Sequence, residues 1–120
     1  SDNPEDWENA VHSCRRLLQS VADKLIPPTE DRRITLESGK EKTIQMGKDK
    51  YINRLIYYIE TKSSSERFKE LIGSDLTQIG ERIDSVFQIS QKGSHSSIKR
   101  DEADRYVIHT FLLLGDILSL

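Results

Sequence analysis

Three histidines and one cysteine are the side chains of this sequence best suited to acid–base, nucleophilic or metal chemistry. His12, Cys14, His95 and His109 lie far apart along the chain, whereas metal sites and catalytic motifs place their residues at short, fixed intervals. The sequence contains no HExxH, CxxC, GxxxxGK or GxSxG pattern. We therefore expect neither a metal nor another cofactor, and no enzymatic activity follows from motifs alone.

His95 has the setting most suggestive of function. It lies in the polar segment Lys92-Gly93-Ser94-His95-Ser96-Ser97, and no acidic residue occurs from Ser85 to Arg100. A histidine in a basic, serine-rich loop can act as a general acid or base, or contact a phosphate. His95 is thus the best catalytic candidate, and Lys92, Lys99 and Arg100 join it as candidate RNA-binding residues. The simpler interpretation, which we prefer, is a solvated loop whose histidine caps the preceding helix.

The other reactive side chains have structural interpretations. His12 and His109 lie beside apolar stripes, as histidines at the edge of a core do, and Cys14 lies on such a stripe as a small core residue. The pair Arg15-Arg16 could bind phosphate, but acidic residues nearby favour a solvated helix face.

Four predicted helices position these residues. Asn3 is suited to cap the first helix, Pro4 to begin it, and Pro27-Pro28 to stop it. The next three helices are predicted over residues 48–62, 66–90 and 99–118, from apolar residues spaced three and four apart. Residues 29–48 alternate apolar and polar side chains around Ser38-Gly39-Lys40, which indicates a short β-hairpin or an extended loop with a tight turn. The predicted fold is an all-α bundle of four to five helices with a possible hairpin between the first two.

The last helix has apolar residues on more than one side. A helix of that kind is central to the fold or meets a second subunit. We therefore expect a homodimer or a partner protein, with Phe111, Leu113, Leu114 and Ile117 as candidate interface residues. Phe111 is also expected to contribute to the core, as is Leu17 in the first helix.

Composition limits the possible partners and compartment. The 18 basic and 20 acidic side chains give a net charge of −2, so RNA binding is expected to be weak and to need a local patch. A single cysteine indicates a reducing compartment. The acidic N-terminus does not resemble a signal peptide, and the apolar run at 111–118 is too short to span a membrane. We expect a cytoplasmic protein that makes no use of membranes. Because the sequence lacks an initial Met, we also expect residues 1–120 to be one domain excised from a longer chain.

Three features occur in a characteristic order: His12-Ser13-Cys14-Arg15-Arg16-Leu17-Leu18 in the first helix, Gly93-Ser94-His95 in a later loop, and an apolar closing helix. This order resembles the HEPN-like helical domains of bacterial abortive-infection and related phage-defence proteins. The resemblance covers the helical portions and not residues 29–48. It implies a bundle of four to five helices that commonly dimerises.

Many HEPN-like domains are metal-independent ribonucleases, so the resemblance also implies a ribonuclease site. In that site an arginine precedes the histidine with four to six residues between them. His95 matches the histidine. The arginine position falls on Gln88, Ile89 or Ser90, and the nearest upstream arginine is Arg82. We therefore expect a non-catalytic interaction or dimerisation module of a bacterial defence protein. The alternatives are a ribonuclease using His95 with Lys92, Lys99 or Arg100 as its cation, and a helical adaptor unrelated to defence.

Overall fold

The computed structural model describes residues 2–120 and contains four helices and one two-stranded hairpin. In chain order these are α1 (Pro4–Leu25), β1 (Arg32–Thr35), β2 (Glu41–Ile44), α2 (Tyr51–Lys62), α3 (Glu66–Gln91) and α4 (Arg100–Leu118). The prediction of a mostly helical chain with a hairpin between its first two helices is confirmed. No fifth helix occurs within residues 2–120.

The helix starts follow from local capping chemistry. The Asn3 side chain accepts a hydrogen bond from the backbone nitrogen of Glu5 at 3.0 Å, and the Ser65 hydroxyl accepts one from that of Phe68 at 3.1 Å. Each bond satisfies a backbone donor that the first turn of a helix leaves free. The starts of α1 and α3 were therefore predictable from the sequence.

The hairpin packs beside α2. β1 and β2 pair antiparallel with Arg32 opposite Ile44, and Gly39 in the turn has φ of +83°, a conformation that glycine adopts without steric cost. The Arg32 guanidinium lies 3.8 Å from the ring centroid of Tyr57, and the Asn53 side-chain amide donates to the Gln45 carbonyl at 2.9 Å. These contacts give the short hairpin the support that two strands alone lack.

One hydrophobic core cluster draws side chains from all four helices. Its fully buried members include Leu18 of α1, Leu55 of α2, Ile79 of α3 and Ile117 of α4. Cys14 is buried in the same cluster, as predicted, and Leu17 is partly buried against it. None of the helices in residues 2–120 is both long enough and apolar enough to cross a membrane.

Arg54 joins the end of α1 to the segment that leads into α2. Its side chain is completely buried, and it donates at 2.9 Å to the Ile26 and Lys48 carbonyls and to the Asp23 carboxylate. These three bonds offset much of the cost of burying the cation, while its Nε is buried without a hydrogen-bond partner among the described residues. Arg54 therefore fixes the geometry of the turn that follows α1.

Candidate functional site

A buried carboxylate on α1 organises the polar end of the molecule. Glu8 is 5% exposed; its Oε1 accepts a hydrogen bond from the Ser96 hydroxyl at 3.0 Å and its Oε2 one from the Ser90 hydroxyl at 3.4 Å. A buried charge is costly unless it is hydrogen-bonded, so Glu8 anchors the α3–α4 loop to α1. Sequence reasoning missed this residue. Its position three residues before Val11, in line with the apolar stripe of α1, is the signal that could have revealed it.

His95 lies at the surface next to this carboxylate. Its Nδ1 is 3.7 Å from Glu8 Oε1, and its side chain is 78% exposed. The loop that carries it is held by the hydrogen bond of Ser96 to Glu8 and by the buried side chain of Ile98, both of which follow His95 in the chain. His95 thus contacts an acid on α1, a neighbour that the acid-free sequence around it did not indicate.

His12 is bound into the same network. Its Nε2 is 3.1 Å from the Ser90 hydroxyl, while its Nδ1 is buried and has no hydrogen-bond partner among the described residues. The Glu8 carboxylate and the Val86 carbonyl, 3.2 Å from the same hydroxyl, can only accept. The hydroxyl has one hydrogen for three neighbours, and a His12 tautomer protonated at Nε2 would donate to Ser90 and leave that hydrogen for Glu8 or Val86.

A second polar network lies one turn further along α1. Arg15 Nε donates to Asp84 Oδ1 at 3.1 Å, and the Tyr51 hydroxyl donates to the same oxygen at 2.9 Å. The Arg15 guanidinium also lies 3.8 Å from the ring centroid of Phe87. Burial, reinforced by the Asp84 carboxylate, raises the pKa of Tyr51 well above its ordinary value, so its hydroxyl remains a donor.

The predicted RNA-binding cations are all exposed. Arg100 Nη1 lies 3.8 Å from the Asp2 carboxylate, while Lys92 and Lys99 form no ion pair within residues 2–120. His109, on α4, is half-buried and lines a shallow cavity with Arg82 and Arg105. Of the predicted site residues, His95 alone therefore contacts the Glu8 network.

The predicted interface residues on α4 divide into two groups. Leu113, Leu114 and Ile117 are buried in the core of the chain itself and are not available to a partner. Phe111 is 59% exposed, so its predicted contribution to the core is wrong. The exposed apolar side chains of α4 also include Ile108, Leu112 and Leu118, which sequence reasoning did not assign to an interface.

Comparisons with known proteins yield no relative: no family model, no curated protein and no solved structure matches this chain. Within residues 2–120, no three histidine, cysteine, aspartate or glutamate side chains come together in a way that could hold a metal ion.

Proposed function

We propose that this chain is an interaction module that assembles through the outward side of α4. The observation that carries the proposal is an exposed apolar stripe made of Ile108, Phe111, Leu112 and Leu118, which we call the α4 stripe. Its members are 59–68% exposed. Helical spacing places them along one side of α4. Contiguous exposed apolar side chains of this kind mark surfaces that contact other proteins.

The partner we propose is a second copy of the chain. Gly115 lies within the α4 stripe, and a Cβ atom placed on it would meet nothing within 4 Å. In an antiparallel pair of α4 helices with the two-fold axis between residues 111 and 112, Phe111 meets Leu112 of the other copy. Ile108 then faces Gly115, whose missing side chain lets the helices approach closely. The stripe is thus self-complementary, as a two-fold interface requires.

Charge favours the same arrangement. Arg105 lies at the N-terminal end of the α4 stripe and pairs with Asp101 of its own helix at 3.2 Å. In the antiparallel pair it reaches Leu118 of the other copy, at the C-terminal end of that helix. A cation is stabilised at this end, where the helix dipole is negative.

The setting we propose, a bacterial defence protein, rests on the resemblance to HEPN-like domains. The ribonuclease alternative has one contact in its favour, because Glu8 could orient the His95 ring. Metal-free RNA cleavage also needs a fixed cation beside the histidine to stabilise charge on the phosphate. Arg100 is instead paired with Asp2, and the exposed Lys92 and Lys99 make no ion pair within residues 2–120 that would fix them beside His95. We therefore prefer the non-catalytic module.

Sedimentation velocity over a concentration series tests the assembly. We expect the wild-type chain to dimerise and Phe111→Glu to be monomeric with an unchanged helical circular dichroism spectrum, because the dimer would bury an unpaired carboxylate. Leu71→Glu is the matched control, since Leu71 is an equally apolar, 50% exposed residue on α3. A wild-type monomer at every concentration, or equal loss of dimer in both variants, would contradict the proposal.

Disulfide crosslinking tests the antiparallel geometry, since the native Cys14 is buried. Leu112→Cys places two thiols near the two-fold axis and is expected to form a covalent dimer on mild oxidation. Leu118→Cys places the two thiols at opposite ends of the helix pair. We expect no covalent dimer in that variant, because a disulfide needs Cα atoms within about 7 Å. Crosslinking of Leu118→Cys alone would indicate a different interface.

A further inference from the structure

A cavity of about 380 Å³ lies between α1 and the C-terminal part of α3. Its lining consists of His12, Arg15, Arg16, Phe87, Ser90 and Gln91, and none of these six residues is acidic. Its donors include the terminal nitrogens of Arg15 and Arg16 and the side-chain amide of Gln91. We propose that this cavity binds the phosphate group of a ligand, with Arg15 and Arg16 as its principal contacts.

Arg15 is held in place before any ligand arrives. Its Nε is bonded to Asp84 at 3.1 Å, its guanidinium lies on Phe87, and its side chain is only 16% exposed. Its terminal nitrogens form no hydrogen bond with the described residues. The fork of donors therefore has little conformational freedom left to lose, which favours binding of a phosphate or another oxyanion.

Arg16 supplies the positive charge that is not compensated. It donates from Nη2 to the Ser13 hydroxyl at 3.0 Å, and no carboxylate pairs with it in the described chain. Asp84, in contrast, already balances Arg15. Hydrogen bonds from guanidinium donors to phosphate oxygens are strong and frequently bidentate.

The surroundings restrict what the cavity recognises. One face of Phe87 is covered by Arg15, and its ring meets His12 edge to face with centroids 6.0 Å apart. Phe87 therefore offers little surface on which a nucleobase could stack, and recognition is of the phosphate itself. Two carboxylates lie next to the lining residues: Asp84 pairs with Arg15 at 3.1 Å, and Glu8 bonds to the Ser90 hydroxyl at 3.4 Å. Removing the Glu8 charge is expected to strengthen anion binding.

Titration of the ¹⁵N-labelled full chain with inorganic phosphate, followed by NMR, tests the site. We expect shifts at Arg15, Arg16 and Ser90, a roughly tenfold or greater weakening in Arg16→Gln, and tighter binding in Glu8→Gln. Arg67→Gln removes an exposed arginine at the start of α3 and is the matched charge control, expected to change nothing.

A second arm of the experiment identifies the source of the phosphate. Adenosine monophosphate and a single-stranded RNA 12-mer are titrated in the same way. A site used by free ligands binds phosphate and the nucleotide alike, whereas a site for a nucleic-acid backbone binds the RNA more tightly. In either case we expect Arg16→Gln to weaken binding. Absence of shifts at these residues with all three probes, or equal weakening in Arg16→Gln and Arg67→Gln, would overturn the proposal.

Discussion

The two sides of α4 have nearly the same composition and opposite surroundings. Leu112 and Leu113 are consecutive residues of the same type, yet the first is 63% exposed and the second is 1% exposed. The inward side, with Leu113, Leu114 and Ile117, packs into the core that α1 and α3 share with α4. The outward side, the α4 stripe, is 59–68% exposed. Apolar character alone therefore does not decide whether a side chain enters the core of its own chain.

The largest expected effect is a difference in stability between these two neighbours. Leu113→Ala should lower the free energy of unfolding by about 2–5 kcal/mol, because it leaves a cavity in the core. Leu112→Ala should change it by no more than about 0.5 kcal/mol, as exposed positions do. Chemical denaturation at a protein concentration low enough to keep the chain monomeric measures both. Similar losses in the two variants would show that the two sides of α4 do not differ as described.

Two glycines extend the comparison between buried and exposed positions, with a smaller expected effect on stability. A Cβ on the buried Gly80 of α3 would lie 2.7 Å from Cγ1 of Ile52, whereas one on Gly115 meets open space. Overpacking should give Gly80→Ala a net loss of up to about 2 kcal/mol. Gly115→Ala should gain up to about 1 kcal/mol in the monomer, because alanine favours the helix. Thermal melts of both variants decide the signs, and a stabilised Gly80→Ala would contradict the packing of α2 on α3.

The smallest expected effect is on stability at alkaline pH, and it concerns Tyr106 on the inward side of α4. Burial, together with the hydrogen bond to the Glu102 carboxylate, raises the pKa of Tyr106 to about 12. An unfolded tyrosine titrates near pH 10. The stability gained by keeping Tyr106 protonated is thus fully present below about pH 10 and is lost as the pH rises through about 12.

Urea denaturation at pH 8, 10 and 11 checks this expectation. Tyr106→Phe should lose less stability between pH 8 and 11 than the wild-type chain does. Tyr51, whose pKa is also raised, is present in both proteins and contributes equally to them. Equal pH dependence in the two proteins would mean that the Tyr106 hydroxyl does not titrate with unfolding.

The sequence predicted the secondary structure because its signals are local. Asn3, Pro4 and Pro27-Pro28 define α1 through capping and backbone restriction, and alternation around Gly39 indicates the hairpin. The predicted α2 began three residues earlier than Tyr51. The bonds of Arg54 to Lys48 and Asp23 form only after folding, so the conformation of that segment was not visible in the sequence.

The candidate site was less predictable. His95 was found from its basic, serine-rich neighbourhood, but its acidic neighbour Glu8 is 87 residues away in the sequence and was missed. The sequence indicated the pair Arg15-Arg16 as a possible phosphate site. The position of the Arg15 guanidinium, however, depends on Asp84 and Phe87, which come from α3. The residues next to a polar side chain in the sequence do not show which other helix or loop will supply its ion-pair or hydrogen-bond partner.

By itself, the sequence determined that the chain is mostly helical and indicated a possible hairpin after the first helix, because capping, periodicity and turn chemistry act over a few residues. It also determined that α4 carries more apolar surface than one side of a helix needs. Only the tertiary structure decided which of those side chains enter the core and which form the α4 stripe. The reason is physical: the direction in which an apolar helix faces depends on where the other helices pack, and that is settled by long-range burial. The same long-range packing buried Glu8 and brought Arg15 onto Phe87.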